Sequence, residues 1–146
     1  MISRKSAPDA NDVRVIIDLP WPPSANRYWR NVAGRMVLSR DGRRYREAVA
    51  GLVWRHLCQE GEGVCFGESD LEVAIEAYPP DRRRRDLDNL LKPILDALQY
   101  AELFTDDSQV RAITIRFAVD ERGHIKCRPG GRVTVNLYSP QISGPL

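Results

Sequence analysis

The sequence predicts an α+β fold: two helices packed on a small mixed four-stranded sheet, in the order β-α-β-α-β-β. Three observations carry this. Four segments, residues 13–19, 71–78, 113–119 and 133–137, alternate apolar and other side chains with a period of two, as half-buried strands do. Two more, residues 39–58 and 88–101, repeat apolar residues at helical spacing. Proline and glycine clusters separate the segments, and the 146 residues suffice for one domain with a real core. The last two strands follow each other directly, so they are expected to pair antiparallel across a long hairpin loop, Asp120 to Gly131.

Residues 1–12 are polar and aperiodic and are expected to form a flexible arm, residues 13–138 the folded domain, and residues 139–146 a flexible tail. The first strand turns Val13, Val15, Ile17 and Leu19 inward and is stopped by Pro20, Pro22 and Pro23. The next stretch, read as a loop, sets Arg27 and Arg30 among Tyr28 and Trp29, a mixture suited to phosphate contact and base stacking, while Trp21 covers the core. Ser39 is placed to cap a helix whose buried stripe is Tyr45, Ala48, Val49, Leu52, Val53 and Leu57. From Arg27 to Arg46 there are seven arginines opposed by Asp41 alone, a basic patch in a chain whose net charge is only +2. Arg43 and Arg44 fall in the first turns of this helix, where they oppose its dipole, so they point to an anionic ligand; the alternative is a solvated helix face.

After a glycine-rich loop and the strand Leu71 to Tyr78 comes the stretch on which the chain is organised, Pro79 to Val110. Arg82, Arg83, Arg84 and Arg85 run into Asp86-Leu87-Asp88-Asn89, Lys92 follows, and Asp106-Asp107 lies beyond the next helix. If Asp86 to Asp88 is extended, both carboxylates project to one side of the backbone. Asp88 or Asn89 is then expected to cap a helix with the stripe Leu91, Ile94, Leu95, Leu98 and Ala101, Pro93 lying in its first turn. Carboxylates beside a polycationic run suit a hard divalent cation such as magnesium, which takes oxygen ligands and phosphate oxygens together. Other readings stay open: charge balance for the aspartates, an i to i+4 partnership of Lys92 with Asp88 or Asp96, and plain turn residues at Asp106-Asp107.

The string RRRRDLDNLLKPILDAL followed by FTDDSQV resembles the core motif of the RusA family of Holliday junction resolvases. LPWPPSANRYWR, from Leu19 to Arg30, is similar to that family's N-terminal motif, and the likeness spans about Val13 to Tyr138. The resemblance implies a homodimeric, magnesium-dependent endonuclease that cuts four-way DNA junctions in recombination and repair. It implies catalytic and metal-binding carboxylates at Asp86, Asp88 and Asp107, in preference to Asp106, with Lys92 as the essential lysine. It adds Asn26, Arg27 and Tyr28 to the DNA-binding candidates Arg43, Arg44 and Arg82 to Arg85. A nuclease of broader taste for branched DNA, such as flaps and forks, and a non-catalytic DNA-binding protein are the alternatives. No apolar run approaches membrane-spanning length and the start lacks a secretory apolar region, so a cytoplasmic protein is expected. Cys58, Cys65 and Cys127 lack metal-ligand spacing and are read as reduced thiols.

Overall fold

The structure, a computed structural model, describes residues 13–59 and 66–140. The expected N-terminal arm, Cys65 and most of the expected tail lie outside these residues. The strands are β1 (Val13–Pro20), β2 (Trp29–Val32), β3 (Arg35–Leu38), β4 (Leu71–Tyr78), β5 (Val110–Phe117) and β6 (Arg132–Ser139). The helices are α1 (Ala25–Tyr28), α2 (Arg40–Gln59) and α3 (Asp88–Tyr100), with a 3-10 turn at Asp107–Gln109. Four strands form one sheet in the order β1-β6-β4-β5, and β2 and β3 form a separate hairpin.

Alternation in the sequence becomes rows across the sheet. Ile17 pairs with Val135, Val135 with Ile75 and Ile75 with Ile115; a second row runs Val15, Leu137, Val73, Ile113. Valine and isoleucine fill these rows because branching at Cβ suits the pleated surface. Ile17, Val135 and Ile75 are buried beneath α2 and α3, as are Val15, Leu137 and Val73, in one continuous core. The rows lose their cover at β5: Ile113 is 41% exposed, and Val119 and Ile125 just beyond the strand are 52% and 46% exposed.

The fold class holds, and the structure corrects several details. β5 and β6 are not neighbours, because β6 runs between β1 and β4, antiparallel to both, while β5 lies parallel to β4 on the sheet edge. The long connection after β5 therefore crosses over β4 and is not a hairpin loop. Ser139, expected in the tail, is the last residue of β6, with its hydroxyl donating to the Asp70 carbonyl at 3.1 Å. Ser39 does cap α2, accepting the Gly42 N–H at 3.0 Å, but Ala48 in the expected stripe is exposed.

α3 starts one step earlier than its expected cap: Leu87, with helical dihedrals (φ −64, ψ −34), precedes it, and Asp88 is its first residue. The buried stripe is centred on Leu90, Ile94, Ala97 and Leu98, with Leu91, Leu95 and Ala101 as its half-buried flank. Pro93 lies in the second turn and is buried, where it has no N–H to give the Asn89 carbonyl.

Candidate nucleic-acid interface and acidic site

Asp86, Asp88 and Lys92 are all exposed at the start of α3. Leu87 packs against the core in helical conformation, so Asp86 and Asp88 are not aligned by strand geometry as expected. Asp88 instead occupies the first turn of α3, where the helix dipole favours a carboxylate. Lys92 has no ion pair among the described residues. The expected alternative, a partnership with Asp96, is pre-empted. Asp96 takes a two-pronged ion pair from Arg46, at 2.7 Å from Nε and 2.8 Å from Nη2, and accepts a hydrogen bond from the Tyr28 hydroxyl.

That network ties three elements together, since Tyr28 belongs to α1, Arg46 to α2 and Asp96 to α3. It also corrects two assignments. Tyr28 is 0% exposed, so it does not stack on a nucleobase; burial, then the bond to Asp96, holds its phenol protonated well above its usual range. Arg46, counted in the basic patch, is spent inside the protein, and its pKa is raised chiefly by the hydrogen bond to Asp96. Replacing Asp96 by Asn leaves Arg46 without its anion at a half-buried position. A loss of about 1–3 kcal/mol is expected in chemical denaturation, with α1 loosened from α3.

The remaining arginines form a surface. α1 and the start of α2 are bound to each other: Ser39 N–H donates to the Tyr28 carbonyl at 2.9 Å, and the Ser39 hydroxyl donates to the Arg27 carbonyl. A Cβ on Gly42 would lie 2.4 Å from that same Tyr28 carbonyl, so only glycine permits the approach. The contact sets α1, which carries exposed Asn26 and Arg27, against the start of α2, which carries exposed Arg43 and Arg44. None of these arginines has an ion pair among the described residues, whereas Arg111, Arg116 and Arg132 on the sheet are paired with Asp70, Glu76 and Asp18. Unbalanced cations on one surface indicate a polyanionic ligand. Replacing Arg43 and Arg44 by Ala is expected to flatten the slope of log affinity against log salt by about 2, one counterion for each lost phosphate contact. Titration of duplex DNA across a salt series checks it.

The arginine run divides in the same way. Arg85 is half-buried and clamps its own loop, pairing with Asp81 at 2.7 Å, donating to the Asp81 and Arg83 carbonyls at 3.0 Å each, and lying over Trp21. The Asp81 carboxyl is held below its usual value first by the Arg83 backbone N–H and then by Arg85. Arg85 is therefore a structural residue, not a free DNA contact. Arg82, Arg83 and Arg84 are left exposed, Arg83 with a long ion pair to the same Asp81 at 3.7 Å. They line a cleft of about 680 Å³ whose apolar wall includes Phe117 and Ile125.

Asp106 and Asp107 have separate tasks. Asp106 caps the 3-10 turn, accepting the Ser108 N–H at 3.1 Å, while Gln109 Oε1 accepts the Asp106 and Thr105 N–H groups at 2.8 Å each. Gln109 Nε2 donates to the Gly67 and Ser69 carbonyls, also at 2.8 Å, which accounts for the glutamine of the D-D-x-Q-V string. With Asp106 so engaged, Asp107 is the exposed carboxylate left free of the cap; its pKa is raised by the hydrogen bond with Asp106 and then by a slight loss of surrounding water.

The turn does not deliver Asp107 to Asp86 and Asp88. Among the described residues, no group of three or more His, Cys, Asp and Glu side chains is gathered closely enough to hold a metal ion. Topology is the reason. β5 starts where β4 starts, Leu71 opposite Val110, and both end together, Ala77 opposite Phe117. Asp86 and Asp88 follow the end of β4 and Asp107 precedes the start of β5, with the 13 residues of α3, a length of about 20 Å, between them. The donor type suits a hard cation, but the three carboxylates of a single chain do not meet.

The sequence profile of the family described as Endodeoxyribonuclease RusA matches residues 20–129. Two relatives share 45% identity over 94 residues, covering 64% of this chain and 74% of theirs: crossover junction endodeoxyribonuclease RusA of Escherichia coli strain K12 and its counterpart in Enterobacteria phage 82. The protein of that name in Shigella sonnei strain Ss046 is 44% identical over the same span. The matched region contains the arginine run, the start of α3 and the Gln109 turn, and with it this chain belongs to the RusA endodeoxyribonuclease family.

Proposed function

We propose that this protein is a structure-specific endodeoxyribonuclease that resolves Holliday junctions in DNA recombination and repair, of a cell or of a prophage. The observation that carries the reading is the juxtaposition of an unbalanced arginine surface with exposed Asp86, Asp88 and Lys92 in a fold of this family. The arginines hold the phosphate backbone, and Lys92, with no ion pair of its own, is available to place positive charge beside a scissile phosphate. Magnesium is the expected cofactor; when bound by carboxylates it polarises a phosphodiester and acidifies a bound water.

A homodimer is part of the proposal, and two features support it. The uncovered edge of β5, with Ile113, Val119 and Ile125 exposed, offers an apolar contact for a second copy. A two-fold axis perpendicular to β5 at the sheet edge would run the two β5 strands antiparallel, turning the Asp107 end of one chain toward the Asp86 and Asp88 end of the other. Each composite site would then draw on both chains, and two sites would face a two-fold symmetric junction. The test of substrate class is a panel of labelled four-way, three-way, flap and linear DNAs with magnesium. Cleavage confined to or strongly favouring the four-way junction is expected; equal cleavage of flaps would favour a general branched-DNA nuclease, and tight binding without cleavage a non-catalytic protein.

A further inference from the structure

The β2–β3 hairpin has little to do inside the fold. Its strands pair only with each other. The turn residues Ala33 and Gly34 have φ of 51 and 80, as a two-residue type I′ turn requires, and Asn31 Oδ1 accepts the Gly34 N–H at 3.1 Å. The tip thus has a defined shape. Register sorts the side chains: Trp29 with Leu38 and Asn31 with Met36 share one face, Arg30 with Val37 and Val32 with Arg35 the other. Trp29 and Leu38 anchor the base against the core. Beyond them support ends, and Met36 is 66% exposed, Val32 42% and Val37 38%.

Three exposed apolar side chains on a ribbon of two four-residue strands, Val32 and Val37 on one face and Met36 on the other, mark an interaction site. Its chemistry is set by Arg30 and Arg35, which flank the two valines and have no ion pair among the described residues. The hairpin also leaves α1 and enters α2, the elements that carry Arg27, Arg43 and Arg44, so its cations continue the basic surface. Phosphates answer the arginines, and the apolar side chains need a flat apolar partner. An intact duplex hides the faces of its bases in the stack, whereas a branch point interrupts the stack and exposes them.

We propose that the β2–β3 hairpin is a wedge that recognises the branch point of DNA, with Arg30 and Arg35 on the flanking phosphates and Val32, Met36 and Val37 against the faces of unstacked bases. The proposal deepens the reading of branched DNA as the substrate and rests on it. The experiment compares the wild type with a Val32→Ser, Met36→Ser, Val37→Ser triple variant, without magnesium. Affinities are measured for a four-way junction and for a linear duplex of the same arm sequence, and 2-aminopurine at the branch point reports unstacking. For the triple variant, junction affinity is expected to fall at least about fivefold, the loss of one base-stacking contact, with linear affinity nearly unchanged and the fluorescence rise on binding abolished.

An unchanged ratio of junction to linear affinity would overturn the proposal, as would an equal loss on both DNAs. Loss of self-association in sedimentation, with the ratio unchanged, would make the hairpin a subunit contact instead. A wild type with no preference for the junction would sink the substrate reading itself, and that failure shows before any substitution is made. Should the triple variant not fold, Met36→Ser alone carries the same comparison, because its side chain lies outside the core.

Discussion

Asp88→Asn is expected to lower junction cleavage by at least about a thousandfold while junction binding is retained or tightened. The substitution keeps size and shape and removes the anionic oxygen, on which both a hard cation and the charge state of the site depend. Loss of a negative charge beside DNA lessens repulsion from phosphate, so binding moves in the opposite direction to rate. Asp86→Asn and Asp107→Asn are expected to behave alike. Asp106→Asn is expected to stay within about threefold of wild type, because asparagine caps a turn nearly as well as aspartate. The separation of Asp107 from Asp86 and Asp88 within one chain adds a sharper result. If composite sites form across a dimer, mixing Asp88→Asn with Asp107→Asn subunits concentrates both lesions in one site and leaves the other intact. Nicking activity then returns in the mixture. Two inert variants that stay inert when mixed would place each site within a single chain.

Lys92→Ala is expected to abolish cleavage with little loss of stability, since the position is exposed on α3 and alanine is a good helix former. Lys92→Arg is also expected to cleave poorly: it keeps the charge but replaces a compact ammonium by a broad planar group. Of the two pairings expected as the alternative, Asp96 is taken by Arg46 and Tyr28, and Lys92 has no ion pair with Asp88 among the described residues. A merely electrostatic helix pair would cost at most roughly 0.5 kcal/mol and leave catalysis alone. Thermal unfolding and junction cleavage on the same preparations separate the two cases, and full activity in Lys92→Arg would exclude the lysine from catalysis.

Much of this was legible in the sequence where local chemistry decides the outcome. The alternation in β1, β4 and β6 appears as buried rows, and Ser39 caps α2 as its position before the apolar stripe indicates. What depended on distant partners was not legible. Tyr28 looked like a stacking residue, yet its ring completes the core and its hydroxyl finds Asp96, 68 positions away. Asp107 was expected to complete a carboxylate set with Asp86 and Asp88, but the parallel register of β4 and β5 sends it to the far end of the sheet. β6 displaced β5 from the hairpin expected of consecutive strands. The β2–β3 hairpin was missed because its strands are only four residues long and its Ala33-Gly34 turn lacks the usual Asn-Gly or Asp-Gly signal. The arginines divide by burial and partners that are visible only in three dimensions: Arg46 and Arg85 are half-buried and serve the fold, while Arg27, Arg43, Arg44, Arg82, Arg84 and Arg83, the last with a long pair to Asp81, remain exposed.

Paired carboxylate sites on this chain are proposed to cut both sides of a four-way junction with magnesium. A supercoiled plasmid extruding a cruciform tests it most directly, because two symmetric cuts in one binding event linearise the circle, whereas uncoupled single cuts only relax it. Wild-type protein with magnesium is expected to yield linear product from the cruciform plasmid, none from the same plasmid lacking the inverted repeat, and none in the presence of a chelator. Relaxed circle without linear product, or the same cleavage of both plasmids or in chelator, would rule out paired, magnesium-dependent cutting of the junction.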